Sequence, residues 1–259
     1  MRSAGRAAAW KRIRPEPPSA ATASATARGF CRRKQEEPIP NATSTRSAGI
    51  LRLGIPIALQ DVLVGISFLV ILAIVNSLGL LQSAGMGIAE KVCAFVMLLP
   101  SAFSQSVSAF VAQNTGAGKP ERAKKALRYS VAVSLCISVF VSYFNFFHGD
   151  LLAGIFANDR AVILEAADYL KAYAIDCLLT SFLFCFVGYF SGLGKTVFVM
   201  AQGILGAFGV RIPVSFAMSR LLNVRLFYIG LATPCSTVVQ VLLCLLYYAH
   251  LARREKAVR

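Results

Sequence analysis

From Leu53 onward the chain alternates long apolar runs with short, mostly basic connections, and this alternation constrains its fold more than any other feature. The runs cover roughly residues 53–78, 86–112, 127–147, 172–193, 196–222 and 227–249. Each has about 20 residues or more, enough at ~1.5 Å rise per residue to cross a hydrocarbon core about 30 Å thick. In lipid, backbone polar groups must be paired within the protein, and continuous runs of this length do so as helices. The sequence predicts an all-α integral membrane protein of six transmembrane helices, with the lipid bilayer as its solvent.

The charge pattern supports this reading. The 259 residues carry 27 Lys and Arg against 12 Asp and Glu, yet 56% are hydrophobic and only 15% charged. So basic a chain suits either nucleic-acid binding or membrane topology, and the position of the charges separates the two. Here the basic residues cluster between the apolar runs, which excludes a nucleic-acid partner. One side of the predicted bilayer collects twelve: Arg46 and Arg52, the 119–128 connection, Lys195 and the C-terminal end. The other side collects four: Arg160, Lys171, Arg220 and Arg225. Cytoplasmic loops carry the excess of Lys and Arg. Both termini are therefore expected in the cytoplasm, with the protein in the cell membrane.

Residues 1–48 differ from the rest. They are rich in Ala, Ser, Thr, Pro and Arg and lack apolar periodicity, so they cannot bury enough surface to fold alone. We read them as a disordered, low-complexity basic tail, followed by a six-helix membrane lobe over 49–252 and a basic cytoplasmic tail over 253–259. The Arg- and Ser-rich composition also resembles a transit peptide, against which stand Glu16, Glu36 and Glu37. The connection over 149–170 is too charged to span. It reads as a short amphipathic helix along the outer interface, with Asn158-Asp159 as a helix cap before AVILEAADYL.

The stretch GYFSGLGKT (188–196) resembles a phosphate-binding loop, but its first glycine should stand where Tyr189 is, and no strand precedes it. It reads instead as a tight turn between the fourth and fifth helices. The seven cysteines form no C-x-x-C pair, and most lie in apolar runs, where cysteine is a small hydrophobe. No nucleophile has a partnering base, and no metal-ligand cluster is visible. The expectation is a protein that is not an enzyme and needs no cofactor.

FVAQNTGAGKPERAKKAL (110–127) joins the second and third spans. It closely resembles the loop signature of the multidrug and toxic compound extrusion (MATE) family, most specifically at Gln113-Asn114 with Gly116 and Gly118. The likeness continues through LRLGIPIALQD (51–61), IVNSLG (74–79), AGMGIAEKV (84–92), YFSGLGKT (189–196) and VRIPVSF (210–216), over about residues 46–252. Motif order matches the family's second, C-terminal six-helix lobe. The resemblance implies half of a secondary transporter that exports organic, mostly cationic compounds in exchange for H+ or Na+. A complementary six-helix lobe or a second copy would be its partner. Two alternatives stay open, a truncated or non-transporting membrane fragment and a lipid-linked saccharide flippase lobe of the same superfamily. Some family members carry carboxylates at two positions that correspond here to Val64 and, approximately, Thr180, neither of which titrates.

A charge within a span is costly and faces protein or water, so it marks a functional site by default. Asp61, about eight residues into the first helix, and Arg211, just before Pro213, are cavity candidates on that ground. Gln60, Asn76 and Gln202 are hydrogen-bonding candidates for the same cavity, as is Gln105. Glu90 and Lys91 read as residues near the outer end of the second span that reach back to water. Asp176 reads as a residue close enough to a helix start to stay wet.

Overall fold

The computed structural model describes residues 42–220 and 225–258, with side chains over 51–220 and 225–254. The expected tail over 1–48 falls almost wholly outside the described residues, as do the side chains of 255–259. Among the described residues six helices are long and apolar enough to cross a membrane: Leu51–Asn76, Leu80–Gly116, Pro120–Phe147, Arg160–Gly192, Thr196–Ser219 and Leu226–Arg254. They are called the first to sixth spans below. Among the described residues there is no strand.

The main departure from the sequence reading lies before the fourth span. Only Gly149–Gly154 forms a separate short helix. A new helix starts at Arg160, capped by Asp159, whose carboxylate accepts the Ala161 amide at 2.9 Å. The expected interfacial helix over 149–170 is corrected accordingly, since AVILEAADYL is the opening of the fourth span. An aspartate cap satisfies one of the otherwise unpaired first-turn N–H groups and lets the helix begin in polar sequence.

That longer fourth span is the spine of the lobe. Of its most apolar stretch 61% is buried, against 11% for the first span. Glycines let it approach the second span closely. A Cβ at Gly188 would overlap the Ser104 carbonyl oxygen and lie 3.0 Å from Ser104 Cα, and one at Gly192 would lie 2.6 Å from the Ser108 oxygen. Toward the other end Gly85 of the second span meets Glu165, whose Cβ would lie 2.7 Å away. Gly188 and Gly192 form G-x-x-x-G, the spacing that brings two membrane helices into backbone contact.

Two of the glycine-containing connections, at Gly118 and Gly194, close as helix ends rather than binding loops. Gly118 has φ 69°, with Gly118 N–H donating to Thr115 O at 3.0 Å and Lys119 N–H to Asn114 O at 2.8 Å. Gly194 repeats this with φ 74°, donating to Ser191 O at 2.9 Å while Lys195 N–H donates to Phe190 O at 2.9 Å. The paired bonds define a Schellman motif, whose left-handed residue favours glycine. Asn114 also donates its side-chain amide to Phe110 O at 2.8 Å, and Gln113 O accepts the Ala117 N–H at 3.0 Å. Pro120 then opens the third span, where a missing N–H costs nothing. Nothing in the structure explains Gly116 beyond its place as the last helical residue.

Two apolar clusters fill the lobe. One joins Ile71, Val75, Met86, Tyr169 and Tyr173 with Leu226 and Ile229; the other joins Val107, Val111, Leu127, Phe186, Tyr189, Phe190 and Val199. Along the fourth span they are separated by the buried polar residues Asp176, Thr180 and Ser181. This polar layer, held between two packed ends, positions the site.

Candidate functional site

Asp176 lies halfway along the fourth span and is 2% exposed. It is therefore not kept wet at a helix start; the early cap at Asp159 carries it to the middle of the helix. Each carboxylate oxygen accepts one hydroxyl, Oδ1 from Thr237 at 2.5 Å and Oδ2 from Thr180 at 3.0 Å. A buried carboxylate needs such donors to offset its lost hydration. Thr180, near the position where the family resemblance places a carboxylate, thus serves one four residues earlier.

Arg211 enters the same region from the fifth span. It ends a π-helical segment, Leu205–Arg211, set between α-helical Thr196–Ile204 and Ile212–Ser219. A π-turn leaves a carbonyl without its ordinary partner and often accompanies a functional site. Here Ser236 of the sixth span donates to Gly206 O at 2.7 Å, and Gln240 Nε2 donates to Ser236 at 3.1 Å. The guanidinium of Arg211, 7% exposed, sits 4.5 Å from the Phe68 ring centroid, with Nη1 3.5 Å from Ser67 Oγ. Its Nε has no hydrogen-bond partner, and among the described residues no carboxylate is ion-paired with it. Asp176 and Arg211 line the same cavity without forming an ion pair.

Between them lies a cavity of about 380 Å³ lined from the first, second, fourth, fifth and sixth spans. Asp61, Gln60, Arg211, Asp176, Glu90, Tyr173 and Gln240 all reach it. Three carboxylates against one guanidinium leave it acidic. A second chamber of about 540 Å³ shares Gln60, Asp61, Leu183, Phe184 and Gln240 with the first, and Gln105 and Gln202 line it. The structure therefore brings Gln60, Asp61 and Arg211 together and places Gln202 next door. Asn76 is a correction: it is exposed at the end of the first span, bonded to Ser83, and lines neither chamber. Glu90 is half-buried and lines the cavity, while its neighbour Lys91 is exposed. Thr237 and Gln240 were not legible as site residues. An isolated polar residue in an apolar run looks the same whether it faces a cavity or a neighbouring helix.

Six membrane-length helices among the described residues, five of them lining a charged cavity, define a polytopic helical membrane protein. The MatE family matches residues 56–217, more than half of the chain, and the chain belongs to that family. It is 22% identical over 210 residues to the "Probable multidrug resistance protein YoeA" of Bacillus subtilis, covering 81% of this chain and 45% of that protein. It is 25% identical to human "Multidrug and toxin extrusion protein 1", covering 66% of this chain and 30% of that one. Among solved structures, a crystal structure of a MATE mutant superposes with TM-score 0.74 at 15% identity over 80% of this chain and 47% of that one. A MOP-superfamily transporter from Pyrococcus furiosus gives 0.69 at 24% identity, covering 76% and 43%. At these identities the structural likeness shows the fold. The chain spans less than half the length of the relatives it matches.

Proposed function

We propose that this chain is one six-helix lobe of a secondary exporter of small organic compounds in the cell membrane, driven by a counter-flow of H+ or Na+, with both termini in the cytoplasm. The supporting observation is the cavity lined by Asp61, Glu90, Asp176 and Arg211, in which Asp176 and Arg211 are buried without being paired. A separated pair of this kind is poised to respond to an arriving cation, because an added charge changes which partner each group keeps. Transporters of this type are built from repeated lobes with the site near the bilayer midplane between them. A complementary six-helix lobe or a second copy completes the path, and the drug-resistance names of the relatives support small organic substrates.

Asp61 is the accessible carboxylate of the site, exposed on the first span and reaching both chambers. Asp61→Asn in a reconstituted two-lobe complex is expected to insert normally and to lose efflux of a cationic dye by ~10-fold or more, the scale for losing a charged contact. Unchanged efflux across the pH range would count against the cavity as the transport site.

A further inference from the structure

The second chamber has a chemistry distinct from the first. A serine in a helix ordinarily donates to a carbonyl three or four residues back, as Ser67 does to Val64 at 2.7 Å and Ser138 to Leu135 at 3.0 Å. Ser101, Ser104 and Ser108 on the second span and Ser191 on the fourth line the chamber, and none of their hydroxyls makes such a bond or any other among the described residues. Gln202, 2% exposed, lines it too, and its amide oxygen has no partner. A buried amide without a partner is costly, and its presence points to a ligand that completes it. Asp61 supplies one negative charge, and no Lys, Arg or His lies on the wall. The rest of the wall is largely apolar, and the volume suits a small organic molecule.

We propose that this chamber is a binding subsite selecting cations that carry N–H donors, protonated primary amines or guanidiniums on an apolar body, over quaternary ammonium ions of equal charge. Asp61 attracts both kinds of ion. Only the first donates hydrogen bonds to the serine and glutamine oxygens; a quaternary ion covers those oxygens with methyl groups and leaves them unpaired. A site built to hydrogen-bond discriminates strongly against an analogue lacking the bond. The inference rests on reading the lobe as half of an exporter, and it concerns which compounds the lobe holds.

The test is isothermal titration of the full chain in nanodiscs of neutral phospholipid with phenylethylammonium and phenylethyltrimethylammonium at pH 7. The primary ammonium is expected to bind ~10-fold or more tightly, from one or two charge-assisted bonds. The Ser104→Ala/Ser108→Ala double variant should shrink the gap to within ~3-fold by weakening only the primary ion. Equal or inverted affinities overturn the proposal, as does a gap that survives in the double variant. So does neutral phenylethanol binding as tightly as the amine, or no binding of either ion. No gradient or second lobe enters the measurement, so the export reading stands or falls separately on efflux.

Discussion

Gly188→Ala should lower the unfolding midpoint of the purified chain sharply, and Gly188→Leu should prevent it from folding. Alanine is the better helix former by ~1 kcal/mol, so propensity alone would stabilise the variant. The obstacle is the Ser104 backbone, whose carbonyl carbon and Cα both lie 3.0 Å from the new Cβ, with the oxygen closer still. Side chains yield to overpacking at ~1–3 kcal/mol, whereas a helix backbone yields only by moving the whole span. A net loss of about 3 kcal/mol is expected for Gly188→Ala. Gly54, Gly65 and Gly87 serve as controls, because a Cβ there meets nothing within 4 Å. Their alanine variants should be neutral or slightly stabilised. Denaturation in detergent followed by circular dichroism reads the difference, and a Gly188→Ala midpoint equal to that of Gly65→Ala would contradict the close packing.

Asp176→Asn carries the second large effect. The amide can still accept from one threonine and donate to the other, so the hydrogen bonds to Thr180 and Thr237 are largely preserved. What disappears is the charge that balances Arg211. Leaving a buried charge without its counter-charge is more costly than removing both. We expect Asp176→Asn to lose about 2 kcal/mol of stability, and Arg211→Gln in the same background to recover most of it. A double-mutant cycle with no coupling would show that Arg211 is balanced by Asp61 or Glu90 instead. In the two-lobe complex, Asp176→Asn should also lower efflux by ~10-fold or more.

The six spans are legible because each apolar run exceeds a bilayer thickness and no other structure tolerates so much uncharged sequence in lipid. The ends of the spans are less so. Glu165, Asp168 and Lys171 interrupt the hydropathy of the fourth helix, so hydropathy alone starts it at 172 instead of Arg160. The Asp159 cap is readable, and following the helix from it carries Asp176 into the middle of that helix. Lys171 pairs with Asp168 at 2.8 Å on that first stretch, which lets both charges sit on a helix that continues into lipid. Gly188 and Gly192 are visible as residues, but the helix that meets them is not written in their spacing. Arg211 is recognisable from its depth alone. Its place beside Phe68 depends on the π-turn at Leu205–Arg211, of which the glycines at 203, 206 and 209 are the one sequence sign.

Gradient-driven efflux from proteoliposomes tests the account most directly. The chain is reconstituted alone or together with a complementary six-helix lobe, and extrusion of a cationic dye is followed under an imposed H+ or Na+ gradient. This chain as a monomer is expected to show no gradient-dependent efflux, and efflux when the second lobe is present is expected to fall with Asp61→Asn and with Asp176→Asn. Robust efflux by a demonstrated monomer, or efflux from the two-lobe complex that is indifferent to both substitutions, would contradict it.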